Sequence, residues 1–393
     1  MRELMNIFRV IGCLLLMAAP LASHAGEASA AAADTVATDS AASHKTGFIH
    51  KVINYFSKDE NNLTQKGFHV SFIGGPHYNS DTKLGIGLVG SGFYRVSGSD
   101  TLSQPSNVTI YTDVATSKFA LIGIRGNTLM ANDAHRLNYN LSFYYLPTYI
   151  WGIGYHDCDN DDNEEKMTYR HVGFKLDYLW RLAKGLYAGP SASWQWAKAD
   201  SIERMELMGN QRLTVRNYGI GLTLDYDTRD LITNAYRGTY VHVGIMFQPK
   251  FMGNHYAFTT AELRACHYRQ VWKGGVLAGE LYTKFNFGNP SWATMSELGG
   301  SNSMRGYYGG RYRDKHIITA QVELRQHVWR RNGIALWVGG GNVFRDSHSF
   351  KHLLPNYGIG YRWEFRKRVN VRLDYGFGKS GQHEFIFNIN EAF

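Results

Sequence analysis

A chain of 393 residues is long enough for one large domain or two ordinary ones, and its mean hydropathy of −0.33 is mildly polar. Aromatic residues make up 14% (25 Tyr, 21 Phe, 9 Trp), beside 42 Gly, 8 Pro and 19% charged residues. That mix favours strands over helices, and because no run of 18 apolar residues follows the first 25, a helical membrane protein is excluded.

The formal charge of +9 comes from scattered Lys and Arg without a basic stripe or a binding motif, so nucleic acid has no support as a partner. Basic groups such as Arg330-Arg331 and Arg366-Lys367-Arg368 stand at predicted tight turns, where they would meet lipid headgroups or plain solvent.

In chain order, Met1-Arg2 to Arg9, an apolar stretch from Val10 to Ala19 and the small residues Ser23-His24-Ala25 read as a secretory signal peptide over residues 1–25, cleaved after about Ala25. Its removal takes Cys13 and leaves Cys158 and Cys266, one in a predicted loop and one in a predicted strand, which is no disulfide framework. Residues 26–46 are mostly Ala, Ser, Thr and Asp and read as a disordered tether. Residues 47–58 carry Phe48, Ile49, Val52, Ile53 and Phe56 at helical spacing, which predicts a short amphipathic helix. It could plug a barrel, lie on the inner leaflet or pack on a barrel mouth.

From 67 to 393 the hydrophobic period is two. Tyr357, Ile359, Tyr361, Trp363 and Phe365 fall on one face, with Gly358, Gly360, Arg362 and Glu364 on the other. Val371, Leu373, Tyr375 and Phe377 likewise oppose Asn370, Arg372, Asp374 and Gly376, and Ile318 to Arg325 repeats the pattern. Charge on one face and aromatics on the other suit a wet lumen and a lipid exterior. The prediction is an all-β fold, one transmembrane antiparallel barrel of about sixteen strands. The strands are expected to begin near Phe68, Leu84, Asn107, Phe119, Leu137, Tyr169, Leu186, Arg216, Thr239, Ala257, Val276, Ile317, Ile334, Tyr357, Asn370 and His383. Tight turns at Ala183-Lys184-Gly185, Trp272-Lys273-Gly274, Arg331-Asn332-Gly333 and Lys367-Arg368 alternate with long connections, so the tight turns should be periplasmic. The turn from Thr228 to Gly238 is the exception, being longer.

Several motifs resolve to nothing chemical. Gly85-Ile86-Gly87-Leu88-Val89-Gly90 spells a dinucleotide fingerprint but lacks the helix after it. The loop from Asp157 to Glu165 concentrates carboxylates that could hold calcium, yet it lacks the glycine of an EF-hand and reads better as a solvated loop. The 16 His are dispersed, and neither a metalloprotease motif nor a nucleophile elbow occurs, so no cofactor, metal or enzyme activity is expected.

The long loop reading Leu298-Gly299-Gly300-Ser301-Asn302-Ser303-Met304-Arg305-Gly306-Tyr307, with the strand after it, resembles the bacterial surface antigen barrels, the superfamily of outer-membrane assembly factors and two-partner-secretion transporters. Tyr226-Asp227-Thr228-Arg229-Asp230 with Arg237-Gly238 is similar to the family's mid-barrel turn, and the stretches Tyr357 to Arg362 and Arg372 to Gly376 to its final strands.

The resemblance implies that Met304-Arg305-Gly306-Tyr307 folds back into the lumen and that Arg305 meets an acid on the wall. It also implies that Phe385, Phe387, Ile389 and Phe393 form an insertion signal. The family's acid in the thirteenth strand is replaced here by glycine within Trp337 to Phe344, so parity nominates Glu323 or Asp374, then Glu364, as the partner of Arg305. The family's periplasmic POTRA domains find no room before residue 68, which suggests a barrel-only member.

Assembly or translocation is therefore the first functional expectation. Its partners would be outer-membrane lipids, and either outer-membrane protein clients or periplasmic or lipoprotein partners. A channel with lumen charges Arg325, Arg362, Glu364 and Arg372 is the second, and a barrel enzyme the third.

Overall fold

The computed structural model describes residues 69–79, 82–94, 106–130, 133–232, 234–346, 350–389 and 391–393. The predicted signal peptide, tether and amphipathic helix lie outside them. Alternating sequence makes alternating structure. The strands are β1 (His69–Asn79), β2 (Lys83–Tyr94), β3 (Ser106–Ala115), β4 (Ala120–Met130), β5 (His135–Ile150) and β6 (Glu165–Ala183). They continue as β7 (Leu186–Asp200), β8 (Thr214–Asp227), β9 (Gly238–Gln248), β10 (Phe258–Trp272), β11 (Gly275–Gly288), β12 (Ser296–Leu298) and β13 (Tyr312–Asp314). The last are β14 (His316–Trp329), β15 (Asn332–Phe344), β16 (Leu354–Arg366), β17 (Val369–Phe377) and β18 (His383–Ile389).

All except β12 and β13 close into one barrel, each strand antiparallel to its neighbours, with β18 returning to β1. These sixteen strands start within four residues of the predicted positions. β12 and β13 form a separate two-stranded sheet inside the connection from β11 to β14. A short helix, α1 (Tyr155–Asp159), stands in the connection from β5 to β6.

The two faces of the wall differ as a bilayer requires. Leu84, Ile86, Leu88, Ile220, Leu222, Val322, Leu336, Val338 and Ile359 are exposed, while their neighbours in parity Gln321, Glu323, Arg325, Arg362, Arg372 and Asp374 are buried. An apolar outer band with a polar interior is the pattern of a transmembrane barrel, not of a soluble sandwich. Four of the tight hairpins carry a register shift just before the turn, between Arg181 and Ala183, Gln270 and Trp272, His327 and Trp329, and Glu364 and Arg366. Such bulges raise local twist and let a two-residue turn close the hairpin. All four lie at the same rim, the one with the shorter connections.

At the opposite rim the connections fold inward. The N–H of Gly154 bonds to the carbonyl of Arg313 at 2.8 Å, which seats α1 on β13. Tyr155, Cys158, Leu298, Met304, Tyr307, Tyr312, Ile317, Val343 and Leu354 form a buried apolar cluster beneath it. Burial pushes the Cys158 thiol up to about 12, so its thiolate is scarce near neutral pH. Cys266, on β10, is buried as well. Neither thiol of the native protein should react with a maleimide near neutral pH, and both should react after denaturation, as mass spectrometry would read.

Candidate functional site

The connection from β11 to β14 enters the lumen and places Arg305, fully buried, against the inner wall. Its Nη1 donates to Asp374 Oδ2 on β17 at 2.7 Å, and its Nη2 to Glu323 Oε2 on β14 at 2.5 Å. The guanidinium carbon lies 3.7 Å from the centroid of the Trp337 ring on β15. Carboxylates edge-on and an indole face below satisfy a planar cation in both directions that matter to it. The backbone of the tip is held as well. Asn356 Nδ2 donates to the carbonyl of Arg305 at 3.1 Å, and Tyr307 donates to the carbonyl of Pro355 at 2.6 Å while accepting the N–H of Lys379 at 2.8 Å. Arg372 Nη2 reaches the Ser301 carbonyl at 2.8 Å. Met304 is buried in the apolar cluster.

Gly306 supplies a backbone that no other residue would accept easily. It has φ +113, and a Cβ there would stand 2.7 Å from backbone atoms of Phe377. The facing Gly376 is the reciprocal, with a Cβ that would meet the Arg305 carbonyl oxygen at 2.6 Å. Loop tip and β17 therefore touch backbone to backbone.

The ion cluster extends beyond the pair. Arg325 Nε bonds to Glu323 Oε1 at 2.6 Å, and Arg362 Nη1 to Asp374 Oδ1 at 2.5 Å, so each carboxylate is shared between loop and wall cations. Arg362 Nε also donates to Glu391 Oε2 at 2.9 Å, and Asn370 Nδ2 to its Oε1 at 2.6 Å. Charges removed from water persist only with this many partners.

Of the three acids nominated from parity, Glu323 and Asp374 contact Arg305. Glu364 instead accepts the backbone N–H of Arg368 at 2.8 Å, at the turn between β16 and β17. The terminal aromatics divide too. Phe385 is exposed on the outer face, and Phe387 stands opposite Tyr78 of β1. Phe393, by contrast, lies past the end of β18 with its ring against Tyr268 at 6.4 Å between centroids, its carbonyl taking Arg325 Nη2 at 2.9 Å. Glu391, two residues before it, pairs with Arg362 and Arg325. Trp337, Asn356 and Glu391 were not singled out from sequence. Trp337 carries the one signal that was available, an indole on the lumen face of the glycine-rich strand facing the loop.

Two carboxylates of the acidic loop meet cationic or hydroxyl donors of neighbouring loops. Asp159 receives Lys379 Nζ at 2.7 Å and Tyr312 at 2.8 Å, while Asp161 receives Arg311 at 2.5 Å. Burial works against the Asp159 carboxylate, but these donors hold its pKa below the usual value, and the same contact raises that of Lys379. Among the described residues no three His, Cys, Asp or Glu converge as metal ligands. Ser142 Oγ lies 3.4 Å from His171 Nε2, but Gln195 Nε2 faces the other ring nitrogen at 3.2 Å. A donor at that nitrogen leaves Nε2 carrying the proton, the wrong tautomer for a base acting on serine.

A sixteen-strand antiparallel barrel with an apolar exterior, and with a long loop pinned inside by buried ion pairs, defines a transmembrane β-barrel with an internally anchored loop. Residues 126–393 match the Omp85 superfamily domain, and the chain belongs to that superfamily. No curated protein sequence matches it. Among solved structures it is similar to BamA from Haemophilus ducreyi lacking POTRA domains 1–3, at 11% identity and a TM-score of 0.59, over 82% of this chain and 70% of that one. It is similar also to CdiB from Acinetobacter baumannii, at 11% identity and TM-score 0.53, over 83% of this chain and 60% of that one. CdiB from Escherichia coli gives 11% and 0.53, over 86% of this chain and 68% of that one. At such identity the likeness speaks for the fold.

Proposed function

We propose that this barrel inserts or translocates a polypeptide client at the seam between its first and last strands, with the Arg305 loop tip bracing the wall beside it. The observation that carries the reading is the seam itself. β2 opposes β1 along its whole length, from His69 facing Phe93 to Asn79 facing Lys83. Between β1 and β18 the described register is Tyr78 opposite Phe387 and Asn79 opposite Ile386. A strand edge with unpaired N–H and C=O groups is a template on which an incoming strand can pair. Family membership and the likeness to BamA and CdiB point the same way. The partners are then outer-membrane lipids and a client strand, with periplasmic or lipoprotein factors delivering it. Residues 1–25 act as the export signal in this reading.

The test is a seam closed at will. In proteoliposomes, the Tyr78→Cys/Phe387→Cys variant should lose most client-barrel insertion when oxidised and regain it on reduction. Insertion that is indifferent to oxidation would remove the seam from the mechanism.

A channel is the second reading, and a specific feature favours it. A cavity of about 350 Å³ inside the barrel is lined by Asn140, Lys175, Gln195, Asn217, Glu262 and Lys284. Steady conductance in planar bilayers, altered by removing Lys175, would support it.

A further inference from the structure

The long exception among the periplasmic turns has a structure of its own in its described residues, 228–232 and 234–237. Asp230 Oδ1 accepts the backbone N–H groups of Leu231 at 3.0 Å, Tyr236 at 3.0 Å and Arg237 at 3.3 Å, and the Asp230 N–H bonds to the Arg237 carbonyl at 3.1 Å. One carboxylate thus gathers the segment into a closed loop.

The loop does not hang free below its hairpin. Arg368, in the turn between β16 and β17, donates through Nη2 to Asp230 Oδ2 at 2.8 Å and to the Asn234 carbonyl at 2.5 Å, and its guanidinium carbon lies 4.1 Å from the Tyr236 ring centroid. Four strands, β10, β11, β14 and β15, separate the two hairpins around the wall. A bond between them therefore crosses the mouth as a chord. Under the chord lies a small cavity of about 50 Å³ reaching Arg325, Arg362 and Glu391, so the segment roofs the ion cluster.

The backbone of Arg368 is a second, independent observation. It has φ +61, at the turn position where the hairpins β6–β7 and β10–β11 have Gly185 at +75 and Gly274 at +77. Glycine adopts that conformation freely and an L side chain does not. The residue here is an arginine, and its side chain makes the contacts to Asp230 and Asn234 described above.

We propose that the described residues of this turn, 228–232 and 234–237, form a strap across the periplasmic mouth of the lumen and that Arg368 is its latch, so that the interior chamber opens to the periplasm when the strap lifts. The strap does not depend on which cargo the barrel handles. Arg368→Gly is a suitable probe, because it removes the latch while giving the turn the residue that its two sister hairpins use.

Full-length protein in planar bilayers should then conduct at least tenfold more on time average as Arg368→Gly than as the parent. The Leu231→Cys/Arg368→Cys pair should conduct like Arg368→Gly until a short bis-maleimide joins strap and turn, which should return it to the parental level. Folded barrel, seen as heat-modifiable migration on a gel, is the control for every variant. Equal conductance of parent and Arg368→Gly, silence included, overturns the proposal. So does a cross-linked pair that still conducts like Arg368→Gly.

Discussion

Arg305→Ala should produce the largest loss of any single substitution in this protein, costing roughly 3–5 kcal/mol and detaching the loop tip from the wall. The reason is the company that Arg305 leaves behind. Glu323 and Asp374 are both fully buried, and each gives one of its oxygens to this guanidinium. Arg325, Arg362 and Arg372 remain near them, within 2.6, 2.5 and 3.6 Å, but those cations have their own geometry fixed by Phe393, Glu391 and Ser301. Trp337 would also lose the cation on its face. Lysine should not rescue, because one ammonium cannot face two carboxylates edge-on and cover an indole at once. Limited proteolysis reads the result directly: the segment between β12 and β13 should be cut rapidly in Arg305→Ala and Arg305→Lys and slowly in the parent. Equal cutting would mean that backbone contacts alone hold the tip.

Gly376→Val should have the second largest effect, and by a different route. The added side chain would begin 2.6 to 2.8 Å from the Arg305 carbonyl group and the Gly306 nitrogen, all backbone atoms that have no rotamer to change. The loop must retreat or β17 must bend, and overpacking of that kind typically costs about 1–3 kcal/mol. Every ion pair would keep its residues yet lose its distances. Gly279→Ala, where a Cβ meets nothing within 4 Å, is the matched control and should leave the protein unchanged. Thermal loss of heat-modifiable migration should come at a lower temperature for Gly376→Val alone.

The sequence is most legible where a residue's neighbours in the chain decide its environment. Alternation over ten or more residues located the barrel strands, because a strand between lipid and lumen must change polarity at every step. β12 and β13 are three residues each, too short to express a period, and their pairing is decided by the folded loop around them. Arg305 could be found by resemblance and its acids by parity, since both Glu323 and Asp374 sit within regular strands. Glu364 shares that parity but stands near the turn, where the closest donor is the backbone of Arg368. Phe393 lies beyond Ile389, the last residue of β18, in a stretch where a side-chain ion pair, Glu391 with Arg362, stands in place of strand pairing. The strap was visible only as an anomaly of length, since its partner lies 138 residues further along the chain.

The inward loop also divides the wall mechanically. Through Glu323, Trp337, Asn356 and Asp374 it is fastened to β14, β15, β16 and β17 in succession, and Tyr308 adds a contact of 3.2 Å to Thr148 on β5. On β1 to β4 the inner-face contacts among described residues run between wall strands, as from His77 to Asp113 at 2.8 Å and from Tyr111 to Asn140 at 3.0 Å. The β1–β18 seam therefore lies, on its β18 side, next to a wall that this internal strut fastens together. In a doorway built this way, β14 to β17 are the jamb.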